Sequence, residues 1–121
     1  MSESSKTVNV PLFNGESKEF EMFWTRFQAY ACMKGFENSI NPDQIDVEFP
    51  AKYDVFDADA DKKKNKKEAI KRNNTAVAAY TLAFKTAALM NIVNEGKTAD
   101  YPNGLAYLIA RELRNQYKPP R

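Results

Sequence analysis

No histidine occurs anywhere in the 121 residues, and cysteine occurs once, at Cys32. The first absence removes the imidazole ligands of the usual zinc sites and the general base of His-dependent triads; the second rules out an intrachain disulfide. Catalysis is therefore a disfavoured class, and the chain reads as a non-enzyme with no cofactor and no metal. No apolar run approaches the ~20 residues that cross a bilayer, and the opening MSESSKTVNV lacks the charged-then-apolar order of a signal peptide. A soluble cytoplasmic protein is expected, with no membrane partner and no small-molecule substrate.

What is present is a 43% hydrophobic chain, enough for one modest core and one domain over residues 1–121. Its net charge of +2 conceals an asymmetry: residues 1–61 hold 12 acids and 5 bases, residues 62–121 hold 4 acids and 13 bases, so the halves stand at −7 and +9. Such a chain suits either polyanion binding through its second half or head-to-tail packing of copies.

The segment VNVPLF, with Pro11, reads as an extended arm within 1–16 that buries Leu12 and Phe13 and ends in an Asn14-Gly15 turn, too short to make a sheet. Over 17–35, Phe20, Phe23, Trp24, Phe27 and Tyr30 recur at helical spacing, with Ser17 or Asn14 to cap and Gly35 to end the helix. Residues 36–61 form a long, irregular, acidic loop, with a single turn suggested at Asn41-Pro42. In the helical remainder, 62–118, a second stripe runs through Ala69, Ile70, Asn73, Val77, Tyr80, Phe84 and Ala88 on a helix over about 62–85. Leu89, Ile92 and Val93 continue the period, so one helix to Asn94 is open on periodicity alone, with Gly96 as its end. A last helix follows Pro102-Asn103-Gly104, with Leu105, Leu108, Ile109, Leu113 and Tyr117 inward, and stops at Pro119-Pro120. The fold class is all-α. The Pro-Pro ending resembles a linker, so a longer polyprotein is expected, with this chain as its N-terminal part.

The stretch DADADKKKNKKE admits three readings. Asp57, Asp59, Asp61 and Glu68 fall at positions 1, 3, 5 and 12 of a calcium loop, but position 6, where glycine makes the sharp turn, is Lys62, and further lysines crowd the would-be ion. The basic block Lys62, Lys63, Lys64, Lys66, Lys67, Lys71 and Arg72 could hold RNA phosphates, yet no aromatic ring interleaves it for base stacking. The preferred reading is a helix start, with Asp61 as N-cap and the carboxylates offsetting lysines in the first turns, the lysine face being solvated or intersubunit. The aromatic rings of 20–30 are core rather than a ligand site, and Cys32 reads as a small buried hydrophobe.

Three stretches together carry a resemblance. LFNGESKEFEMFWTRFQAYACMKGF, with Phe13, Gly15, Trp24 and Phe27, resembles the opening of copia-type LTR-retrotransposon Gag proteins; AVAAYTLAFKTAALMNIV is similar to the central helices of that family, which break before Leu-x-x-Ile-Val; and DYPNGLAYLIARELRNQYKP is similar to a segment of copia-like elements of microalgae. Tyr101 stands where tryptophan is commoner, 37–61 aligns with nothing, and the chain has no zinc knuckle. The resemblance implies a helix break near Thr86 and a compact domain of about four helices like the retroviral capsid N-terminal domain. It also implies self-assembly as hexamers and pentamers in the shell of a cytoplasmic virus-like particle. The acidic residues Asp54, Asp57, Asp59 and Asp61 of one copy are then expected to meet the basic segment 62–72 of the next. The alternative is a nucleic-acid-binding or adaptor module that uses that same basic segment.

Overall fold

The computed structural model describes residues 9–50 and 56–117. Among the described residues four α-helices follow one another, α1 (Phe20–Lys34), α2 (Ala60–Ala83), α3 (Ala87–Glu95) and α4 (Ala106–Tyr117), so the domain is all-α as its periodicity predicts. Short 3-10 turns at Ser17–Glu19 and Glu37–Ser39 flank α1. Neither Ser17 nor Asn14 caps α1 through its side chain; the Asn14 amide oxygen instead accepts the Glu16 N–H at 3.1 Å and shapes the turn before the helix. Gly35 closes α1 in the left-handed conformation, φ 84°, with its N–H donating back to Ala31 and Cys32 carbonyls.

The arm is the architectural key. Phe13 N–H donates to the Ala83 carbonyl at 2.9 Å, and the Phe13 carbonyl accepts from Lys85 N–H at 3.1 Å. This isolated parallel bridge holds Phe84 extended, so the chain leaves helical geometry there. Thr86 then restarts it by accepting the Leu89 N–H through its hydroxyl at 3.2 Å. The break expected near Thr86 thus has two causes, an arm that takes a terminal carbonyl of α2 and a threonine cap for α3. Gly15 turns the arm at φ 87°, a region costly to other residues, although a Cβ there would meet Tyr117 and Leu89 only at ordinary contact distance.

Aromatic rings fill the core: Phe13 stacks on Phe23 at 4.8 Å and Phe27 on Tyr80 at 4.6 Å, and all four are buried. Phe20, Phe36, Phe84, Leu89, Ile109 and Leu113 join them. Alanines at 69, 76, 79 and 83 make up most of the buried face of α2, which lets neighbouring elements approach its backbone closely around Tyr80.

Several expectations are corrected. Leu12 is 58% exposed, because in the extended arm it points opposite to Phe13. Trp24, Val77 and Leu108 are only partly buried, each next in sequence to, or one turn from, a residue that faces inward. Cys32 is exposed: the inward stripe of α1 runs Phe20, Phe23, Phe27, Ala31, and the next residue is rotated about 100° away. Ala88 is exposed on α3 rather than continuing the stripe of α2.

The connection from 36 to 50 is folded onto the helices. Arg72 of α2 donates through Nε to Asp46 at 2.9 Å and through Nη2 to Glu48 at 3.0 Å, and Asp46 is itself buried. Phe49 packs on Tyr101 at 5.0 Å, and the Tyr101 hydroxyl donates to the Pro50 carbonyl. At Asn41 the side chain accepts the Asp43 N–H at 2.9 Å, a side-chain-closed turn rather than a helix start.

Candidate interaction surfaces

Helix α2 begins earlier than its composition suggests, at Ala60, and its N-cap is Asp59, not Asp61. The Asp59 carboxylate accepts the N–H groups of Asp61 at 2.8 Å and Lys62 at 3.3 Å. One residue pair upstream the same device repeats, Asp57 accepting the Asp59 N–H at 2.9 Å. That bond first, and then the Lys66 ammonium, hold the Asp57 carboxyl below its ordinary range. Helical backbone from Ala60 onward also disposes of the calcium reading. Glu68 lies eight residues down a rigid helix, roughly 12 Å along its axis, and cannot wrap back to the aspartates. No metal-holding cluster occurs among the described residues.

From Ala60 to Glu68 every residue of α2 except Lys66 is exposed, and burial begins at Ala69. The first nine residues of the helix therefore project beyond the body. Lys63, Lys64, Lys67 and Lys71 follow one another at spacings of one, three and four, forming a cationic stripe on the side away from the buried face. Lys62 lies elsewhere around the axis, and Lys66 is committed within the chain, bonded to the Phe56 carbonyl at 3.0 Å and paired with Asp57 at 3.2 Å. Phe56 itself is 72% exposed beside this projection.

Two of the four acidic residues expected to meet the lysines, Asp57 and Asp59, are engaged inside the chain. Asp57 pairs with Lys66, Asp59 caps α2, and Arg72, expected to be an RNA or intersubunit contact, is clamped by Asp46 and Glu48. Hydrogen bonding to Asp46 holds the Arg72 guanidinium above even its ordinary high pKa. Asp61 remains exposed on the projection itself, and Asp54 lies outside the described residues. Counting charges by halves of the sequence thus overlooked pairs that close 24 and 26 residues apart within one copy.

A second surface is a groove of about 490 Å³ between α1, the 37–43 segment and α4. Phe20, Trp24, Ile40 and Pro42 provide apolar walls, and Glu21, Glu37 and Asp43 provide carboxylates, Asp43 being bonded to Arg114 at the rim. Trp24 stacks between Phe20 at 6.0 Å and Phe27 at 6.1 Å, which fixes the indole in the groove wall. Sequence reasoning placed Trp24 wholly in the core; its signal as a surface residue was the offset of one position from Phe23. Near the groove, a hydrogen bond to Glu37 and its charge raise the Cys32 thiol pKa, which disfavours the nucleophilic thiolate.

Asn73 was legible only as part of a stripe. In the structure its buried side chain donates to the Gly104 carbonyl at 2.9 Å and accepts the Ala106 N–H at 2.9 Å. A residue of α2 therefore supplies the cap of α4. None of the helices is long and apolar enough to cross a membrane, among the described residues. Comparison with family models, with curated proteins and with solved structures finds no match to this chain.

Proposed function

We propose that this chain is a structural self-assembly module, the capsid N-terminal domain of a copia-type Gag, and that it builds the shell of a cytoplasmic particle by contacts between identical copies. The observation that carries the reading is the separation of unlike surfaces on one rigid body: a projecting cationic helix start at one place, and a concave aromatic groove with three carboxylates at another. One copy thus presents both halves of a complementary contact, the condition for head-to-tail association. The ring packing inside and the arm bridging α2 to α3 support a body stiff enough to repeat. Many weak contacts of that kind gain their strength from symmetry and number. The role is structural and involves no substrate.

Nucleic-acid binding is the second reading, favoured by the exposed lysine stripe alone. Against it, residues 57–68 hold four carboxylates beside five lysines, a local net charge of only +1. Light scattering and negative-stain microscopy of the chain at rising concentration, beside an RNA gel shift, decide between them. Multimers without RNA are expected. A chain that stays monomeric and shifts RNA with a steep salt dependence overturns the reading.

A further inference from the structure

We infer that the projecting start of α2, with Phe56 beside it, docks in the Trp24 groove of a second copy. The inference rests on the self-assembly reading and names the contact through which it works. Three observations lead to it.

First, the projection and the groove cannot satisfy each other within one chain. No residue of α2 lines the groove, and α2 is a single uninterrupted helix from Ala60 to Ala83, held against the core from Ala69 onward. Bending its first nine residues back would break that helix. Second, the charges are opposite. The groove is lined by Glu21, Glu37 and Asp43 with Arg114, whereas Ala60 to Glu68 holds five lysines, of which Lys66 is paired with Asp57, beside Asp61 and Glu68. Of the other carboxylates in the 36–61 connection, Asp46 and Glu48 are drawn to Arg72 and Asp57 to Lys66 of their own copy. Third, each side brings an apolar anchor next to its charges. Phe56 is a large ring, 72% exposed, beside the projection, and Trp24, Ile40 and Pro42 form a concave apolar wall. An aromatic anchor entering a groove while cations meet carboxylates at the rim is how compact protein contacts divide affinity from orientation. Lysines are also drawn to an indole face.

The contact is heterologous, since the surface given differs from the surface received. It propagates from copy to copy and closes only if the rotation between copies closes.

Two charge-reversed chains test it. One carries Lys63→Glu, Lys64→Glu and Lys67→Glu; the other carries Glu21→Lys and Glu37→Lys. All five positions are exposed, and circular dichroism checks that both variants fold. Sedimentation velocity follows association, and emission from Trp24, the sole tryptophan, reports occupancy of the groove. Each variant alone is expected to associate about tenfold more weakly than the parent or worse, with no concentration-dependent change in emission. An equimolar mixture restores both signals, because each variant then offers the other a complementary surface. Phe56→Ser weakens association without altering the charges. If the parent associates and the lysine-reversed chain associates equally well, the contact is wrong while self-assembly stands. If the parent stays monomeric at every concentration, both fail.

Discussion

The two halves of α2 are one helix with two fates. From Ala69 to Ala83 it buries alanines, Ile70, Asn73 and Tyr80 against the rest of the molecule; from Ala60 to Glu68 it buries almost nothing. Tertiary packing holds the first of these segments, and a chain of local bonds from Asp57 to Asp59 to the first helical N–H groups holds the second. Helices in proteins usually draw their stability from an apolar face. Here, half of one draws it from its cap and from continuity with the other half.

The comparison breaks most severely where the docked half meets α1. Phe27→Ala empties the site that stacks on Tyr80 and should cost about 3–5 kcal/mol in chemical denaturation, loosening both halves together. Asn73→Ala should cost about 2 kcal/mol, since the Ala106 N–H and the Gly104 carbonyl lose their partner in a buried place. Amide exchange at the start of α4 would show the effect first.

Tyr80 adds a pH dependence. Burial alone raises its pKa well above the usual value, and its hydroxyl has no hydrogen-bond partner among the described residues. In the unfolded chain the phenol ionises near pH ~10, so the neutral ring contributes fully below that and stability falls as pH rises beyond it. Tyr80→Phe should flatten the alkaline loss and leave neutral-pH stability unchanged or higher by about 1 kcal/mol. A steeper alkaline transition in the variant would contradict the burial argument.

On the projecting half the effects shrink. Asp59→Ala should remove about 1 kcal/mol of capping, read as faster exchange over 60–68 with little change in the global midpoint. Asn65→Ala sharpens the contrast most economically. The same substitution as at Asn73, on an exposed position, should be neutral or raise stability by about 0.5 kcal/mol through helix propensity.

What was legible in the sequence follows the same division. The inward stripe of α1, the ends at Gly35 and Gly96 and the buried Phe13 were readable because each is a local pattern acting through local geometry. The break at Thr86 needed more than periodicity, which runs on to Asn94, and the arm together with the Thr86 cap explains it physically. Arg72 with Asp46 and Glu48, or Asn73 with Ala106, could not be read from spacing, since the partners are far apart and any of several charges could have served. The groove escaped for a related reason: it is assembled from α1, α4 and a loop whose path no repeat announces. A polar residue inside an apolar stripe, as Asn73 is, was the one visible sign that a distant backbone group needed it.

The bridge at Phe13 also imposes an order on biosynthesis. Its two bonds close on Ala83 and Lys85, about seventy positions later, so its backbone stays unpaired during synthesis until that stretch has emerged, although its ring can already meet Phe20 and Phe23. The backbone of the arm at Phe13 is thus among the later parts of the described fold to lock in.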